Sequence, residues 1–154
     1  MKIIVDTREQ NPFSFSTIIP PPETTRATIK TGDYSLSGLQ DKISVERKSL
    51  PDFLGSVGSG RARFVRELER AAGMEFFAVV IEADWPAIIA EIKRNHPKMS
   101  SKAVYASTIA WAQRFKTHFY PCPSRAFAEK TTYRILSRYW EDYEQKKGSR
   151  SGQN

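Results

Sequence analysis

At 154 residues, 40% of them hydrophobic and 12% aromatic, the chain is long enough for one domain with a real core and short for two. It has no apolar run near the ~18 residues of a membrane span, no secretory pattern in its opening MKIIVD, and only one cysteine, Cys122, which excludes a disulfide framework or a cysteine zinc site. The net charge of +7 leans toward a polyanion such as nucleic acid, because basic side chains docked on phosphates release counterions, and an intracellular location is expected.

Residues 2–6, Lys-Ile-Ile-Val-Asp, predict a buried strand that ends in an acid. Pro12 and the run Pro20-Pro21-Pro22 forbid regular structure and leave a loop with a polyproline-like stretch. From Arg26 to Thr31 apolar and polar residues alternate, predicting a half-buried strand that Gly32-Asp33 closes. Lys42 to Glu46 alternates again, with Ile43 and Val45 on one face. Ser49-Leu50-Pro51-Asp52 has the capping-box pattern with proline in the first turn, so a helix begins there and ends among Gly55, Gly58 and Gly60. A second helix covers about 61–72, with Phe64, Leu68 and Ala71 on one face and Gly73 as its stop.

Phe76 to Ile81 is a continuous apolar run and predicts a buried strand. A short helix starts near Trp85-Pro86 and stops before Pro97, and Val104, Thr108, Trp111 and Phe115 mark the next at helical spacing. His118 to Tyr120 reads as a short strand, and the last helix starts at Ser124. The whole predicts an α/β layer structure around one central mixed sheet, a single domain over 1–145 with a disordered basic tail over 146–154.

The chemistry gathers at Gly32-Asp33 and, twelve residues on, Glu46-Arg47-Lys48. Metal-assisted phosphodiester hydrolysis needs oxygen ligands converging on a hard cation such as Mg²⁺, and a positive group to stabilise charge in the transition state. If the strands carrying Asp33 and Glu46 form a hairpin, the two acids meet. Glu46 and Lys48, two apart on one strand, then share a face, and the main-chain carbonyl of Arg47 turns toward the same ion. Each part also has a plain reading: Asp33 as a turn residue, Glu46 with Lys48 as a surface ion pair. Asp6 at the end of the first strand, with Arg8 and Glu9 behind it, adds a second layer of charge.

Together these residues resemble the XPF family of structure-specific endonucleases, whose signature is Gly-Asp, a variable gap, Glu-Arg-Lys, three residues and Asp. Here it stands as Gly32-Asp33, Glu46-Arg47-Lys48, Ser49-Leu50-Pro51 and Asp52. Val5-Asp6-Thr7-Arg8-Glu9, Ser56, Gly60-Arg61 and Val79-Val80-Ile81-Glu82 match further parts of the family pattern, so the resemblance covers roughly residues 2–143. It implies a restriction-endonuclease-like fold and a DNA endonuclease that uses Mg²⁺, with Mn²⁺ as a substitute, at branched, flap or junction DNA in repair or recombination. Asp33, Glu46 and the Arg47 carbonyl become metal ligands. Lys48 orients the water and stabilises the phosphate, and Asp6 and Glu9 complete the acidic cluster. Arg47 supports the site or contacts phosphate, and Asp52 is either the helix cap or part of the chemistry.

Arg8, Ser56, Arg61 and Arg63 are the expected DNA contacts; Arg61, at a helix start, is poorly placed against the helix dipole unless a phosphate meets it. His96, His118 and Cys122 carry no such expectation, and Trp111, Phe115, Tyr139 and Trp140 read as core or dimer packing. Relatives usually add a tandem helix-hairpin-helix domain, and some a helicase-like region; neither is expected in a chain that ends soon after its last nuclease helix. Family members pair through the late helices, so a homodimer or heterodimer through that region is expected. Two rival functions are a catalytically silent DNA-binding or scaffolding module of the same fold, which typically lacks the acids or the lysine kept here, and an RNA-directed nuclease.

Overall fold

A computed structural model of the chain describes residues 1–151. Six strands and five helices follow one another: β1 (Lys2–Asp6), β2 (Glu23–Ala27), β3 (Tyr34–Leu36), β4 (Ile43–Lys48), α1 (Leu50–Val57), α2 (Arg61–Ala71), β5 (Phe76–Ile81), α3 (Trp85–Asn95), α4 (Ser101–Phe115), β6 (Thr117–Pro121) and α5 (Arg125–Ser151). They form one mixed sheet in the order β2-β1-β3-β4-β5-β6. The β1–β3 and β3–β4 pairs are antiparallel; β1–β2, β4–β5 and β5–β6 are parallel.

Side chains of a strand alternate between the two faces of a sheet, and β5 uses both faces for core. Phe77, Val79 and Ile81 pack with Phe53, Phe64, Leu68, Ile88 and Trp111, so α1 to α4 cover one face. Ala78 and Val80 pack with Phe13, Phe15, Tyr34 and Leu136, so α5 and the loop after β1 cover the other. This is the α/β, restriction-endonuclease-like architecture that the sequence predicts, with the central strands buried on both sides. Among the described residues no helix is long and apolar enough to cross a membrane.

Three local differences from the sequence reading matter. The second strand lies at Glu23–Ala27, directly after the prolines, and not at 26–31. A short strand at Tyr34–Leu36 joins the sheet between β1 and β4, so Asp33 opens β3 where it was expected to close β2. The last helix runs on through Ser151, so positions 146–151 of the expected basic tail are helical, and 152–154 lie outside the described residues.

Candidate active site

Asp33 is fixed by its backbone before its side chain does anything. Its N–H donates to the Val45 carbonyl at 2.9 Å and its carbonyl accepts from the Asp6 N–H at 2.8 Å, which holds the residue between β4 and β1. Gly32 makes the approach possible. Its φ is +91°, and a Cβ there would lie 2.0 Å from the Ser44 hydroxyl oxygen on β4. β3 pairs with β4 through Tyr34 and Val45, and two residues further along β4 the Arg47 N–H donates to Asp33 Oδ2 at 2.8 Å. N–H and C=O of one strand residue face the same side, so the Arg47 carbonyl points toward the Asp33 carboxylate as well.

The period of two then sorts the Glu46-Arg47-Lys48 side chains. Lys48 Nζ lies 3.2 Å from Glu46 Oε1 and 4.9 Å from the Phe64 ring centre, so both face α2. The Arg47 guanidinium goes to the opposite face. There it forms a fork on Glu9, with Nε and Nη2 each at 2.9 Å, bonds Glu82 through Nη1, and lies over Phe13. Glu82 also accepts from Arg125 Nη1 at 2.9 Å, and Arg125 Nη2 donates to the carbonyls of Asn11 and Pro12. Of the two expected roles for the Arg47 side chain, the geometry is that of support: it is bound to two carboxylates and 10% exposed, away from the cleft face that Lys48 occupies.

Asp6 and Glu9 are engaged in the same manner. Asp6 is 2% exposed; Oδ2 accepts from Arg8 Nε and Oδ1 from the Ile29 N–H, both at 2.8 Å. Burial alone would raise its carboxyl; the Arg8 side chain and the Ile29 N–H outweigh burial and hold it below the usual carboxylate range. Glu9 balances in the same way, burial opposed by Arg47 and the Asn11 N–H, and its carboxyl is lowered too. Neither has the free oxygens expected of a direct metal ligand.

Asp33 and Glu46 are different. Burial, then the adjacent Glu46, push the Asp33 carboxyl up to about 9. Glu67, which sequence reasoning missed, reaches the same place from α2. Burial, then Glu46, push its carboxyl up to about 7, and none of the ion pairs among the described residues includes it. Its only sequence signal is position: three residues after Phe64 and one before Leu68, at the border of the buried stripe.

These residues line a polar cleft of about 830 Å³ whose walls include Lys30, Ser56, Arg63 and Arg70. Asp52 lines it too; the Ser49 hydroxyl accepts from the Asp52 N–H at 3.3 Å, but no return bond from the Asp52 carboxylate is present among the described residues, so the capping box is half formed. Arg61, one of the expected DNA contacts, is also engaged within the protein. Its guanidinium stacks 4.5 Å from the Trp111 ring centre and donates to Ser107 at 3.0 Å, tying α2 to α4. Arg8 is partly committed, through Asp6 and the Ile29 carbonyl.

The donor set is one that a hard divalent cation accepts: the carboxyl oxygens of Asp33 and Glu46 and a main-chain carbonyl. Among the described residues no group of three or more His, Cys, Asp or Glu side chains converges tightly enough to cage a metal.

A family model for the ERCC4 domain matches residues 5–135, from the end of β1 into α5. The chain belongs to the ERCC4 domain family. Two solved structures share its architecture. XPF from Aeropyrum pernix superposes with a TM-score of 0.66 at 21% identity, over 89% of this chain and 59% of that one. XPF from Aeropyrum pernix in complex with DNA gives a TM-score of 0.71 at 20% identity, over 92% of this chain and 66% of that one. At such identities the likeness is one of fold, and this ERCC4 domain spans less than two thirds of the length of either relative. No curated protein matches it in sequence.

Proposed function

We propose that this chain is a Mg²⁺-dependent DNA endonuclease, with Mn²⁺ able to substitute, that hydrolyses phosphodiester bonds at branched, flap or junction DNA in repair or recombination inside the cell. The observation that carries it is the meeting of Asp33, Glu46, the Arg47 main chain and Lys48 in one cleft of an ERCC4 domain. Asp33, Glu46 and the Arg47 carbonyl would hold the cation, which when bound would polarise the phosphate and lower the pKa of a coordinated water. Lys48, 9% exposed and with its Nζ beside Glu46, would orient the attacking water and offset charge growing on the phosphate. In the step itself a water oxygen bonds to phosphorus as the P–O bond to the leaving strand breaks. Purified protein with Mg²⁺ should nick labelled flap or fork DNA faster than linear duplex of the same sequence; equal rates on all would remove the structural preference.

The metal reading has its own pH signature. Without metal the site holds a proton on Asp33 up to about pH 9; with metal it does not. Mg²⁺ binding at neutral pH therefore releases a proton, and affinity rises with pH until it levels off near that value. Calorimetry in buffers of different ionisation enthalpy measures the release directly. Asp33→Asn should remove its larger part and leave the share of Glu67, whose carboxyl is pushed up to about 7; a release unchanged by the substitution assigns the proton elsewhere.

We also propose that two copies pair through the late helices. β6 is an edge strand, flanked on one side by exposed Tyr105 and Ile109 of α4 and on the other by an apolar groove that holds Phe76, Phe127, Ile135 and Tyr139. An exposed edge beside apolar surface is a template for association. Sedimentation velocity should give a dimer at micromolar concentration that Phe127→Glu with Ile109→Glu converts to monomer. A monomeric wild type would end this part of the proposal.

A further inference from the structure

DNA must cross a cleft whose floor is acidic, so the cations on its walls decide where the strand lies. Of the basic side chains there, Arg8 is bound to Asp6 and to the Ile29 carbonyl, Arg47 points through the sheet, and Lys48 is paired with Glu46. Arg61, next along α2, is held against Trp111 and Ser107. Lys30, Arg63 and Arg70 remain. All three are exposed cleft residues whose side chains form no hydrogen bond or ion pair among the described residues, although Arg70 lies near enough to Glu67 to act on its carboxyl.

Their arrangement is regular. Arg63, Glu67 and Arg70 recur at helical spacing on α2, so they share one face, with the carboxylate that meets Glu46 between the two arginines. Seven residues at 1.5 Å each put the arginine Cα atoms roughly 10.5 Å apart along the axis. A DNA strand advances about 3.4 Å per nucleotide, so that span covers about three nucleotides. Lys30, in the loop between β2 and β3, lines the same cleft from a different segment of the chain.

Resting on the nuclease reading above, we infer that one DNA strand lies along α2, its phosphates held by Arg63 and Arg70 on either side of the scissile position and by Lys30 of the loop between β2 and β3. Lys30 and Arg70 thereby replace Arg61 among the DNA contacts. The phosphate between the two arginines sits over Glu46 and Glu67, where the acids would repel it if the flanking cations did not hold the strand. Exposed cations on a helix are ordinarily just solvated, and Arg70 in the last turn of α2 also suits the helix dipole. Salt dependence separates these roles, because a solvated cation releases no counterions from DNA.

The test is fluorescence anisotropy with a labelled flap DNA in Ca²⁺, between 50 and 200 mM KCl. Lys30→Gln, Arg63→Gln and Arg70→Gln should each weaken binding and flatten the slope of log K against log salt by about 0.9 where the contact is to duplex, or about 0.7 where it is to single strand. The triple variant should lose roughly 2 to 3 from the slope. Arg61→Gln should lower the melting temperature and keep the wild-type slope. A triple variant with the wild-type slope overturns the path, as does an Arg61→Gln slope that falls by a full contact. Cleavage assays with Mg²⁺ keep this apart from the nuclease reading. Wild-type protein that binds with the predicted slopes but never cuts refutes the reading and leaves the path; Asp33-dependent cutting with unchanged slopes does the reverse. Failure of the wild type to bind DNA refutes both.

Discussion

If the proposed nuclease reading holds, Asp33→Asn and Glu46→Gln should each reduce Mg²⁺-dependent DNA cleavage by on the order of 10³-fold or more, while DNA binding holds or tightens. The size follows from the site having few protein ligands. A Mg²⁺ ion held by two carboxylates and one carbonyl loses an anionic donor in either variant, and with it the groups that stabilise transition-state charge. The sign of the binding effect follows from charge: Glu46→Gln removes a negative group from the floor across which a polyanion passes, whereas Asp33, which without metal holds a proton up to about pH 9, changes little in charge when it becomes Asn. Asn and Gln keep the shape of the parent side chains, and in Asp33→Asn the amide oxygen can still accept from the Arg47 N–H, the bond that holds the acid against β4. The folded state should therefore survive, with melting temperatures near wild type. Single-turnover cleavage of a labelled flap substrate, beside anisotropy on the same DNA in Ca²⁺, gives both numbers. Cutting within tenfold of wild type in either variant would move the chemistry off these acids.

Arg47→Leu should destabilise the fold by about 3–5 kcal/mol, because it removes the shared cation of a nearly buried network and leaves two carboxylates facing each other. Glu9 and Glu82 are 6% and 12% exposed, and Arg47 lies between them. Arg125 would still face Glu82, but Glu9 would lose both bonds of its fork. Arg47→Lys should fall between, since an ammonium keeps the charge and cannot make the planar fork. Urea denaturation followed by circular dichroism measures the loss, read as a midpoint shift at constant slope. The same network sets a pH dependence. Asp6 and Glu9 are held below their usual range in the fold, so their contribution is present above the unfolded carboxylate pKa and is lost as pH falls through the lower folded values. Wild type should thus weaken on acidification below about pH 4, and Arg47→Leu should lose the Glu9 share of that dependence and keep the Asp6 share, which Arg8 and the Ile29 N–H maintain. An Arg47→Leu protein within 1 kcal/mol of wild type would show the network to be dispensable.

The acid–lysine set is legible in the sequence because its geometry is local. Arg47, whose N–H binds Asp33, follows it by only fourteen positions, and the period of two in β4 places Glu46 beside Lys48 without further information. The long helices and β5 are legible from their apolar stripes. The stretch 26–31 misleads for a physical reason. Ile29 alternates like a strand residue and is fully buried, but its N–H goes to Asp6 and its carbonyl to Arg8, so side chains take the bonds a neighbouring strand would supply. β3, three residues long, has too little length to show a pattern; its flanking strands define it. Glu67 is hidden because Arg-Glu-Leu-Glu-Arg looks like a solvated helix surface, and only the approach of α2 to the end of β4 makes its carboxylate part of the cleft. Arg61 has a partner that the sequence does not show: beside its poor fit to the helix dipole, its guanidinium lies over the Trp111 ring.

The contact between Gly32 and Ser44 has a practical meaning for protein engineering. The carboxylate of Asp33 reaches its place because two small residues on facing segments let the chains close, and a side chain at position 32 would push them apart. The smallest portable form of this chemistry is therefore a pair of segments and not an acid–lysine pattern: Gly32-Asp33 on one, and Ser44, Glu46 and Lys48 at alternate positions on the other. A host hairpin given the three charged residues but a bulkier contact at either small position would carry the right letters with the acids held apart. One that receives all five starts with the spacing already set.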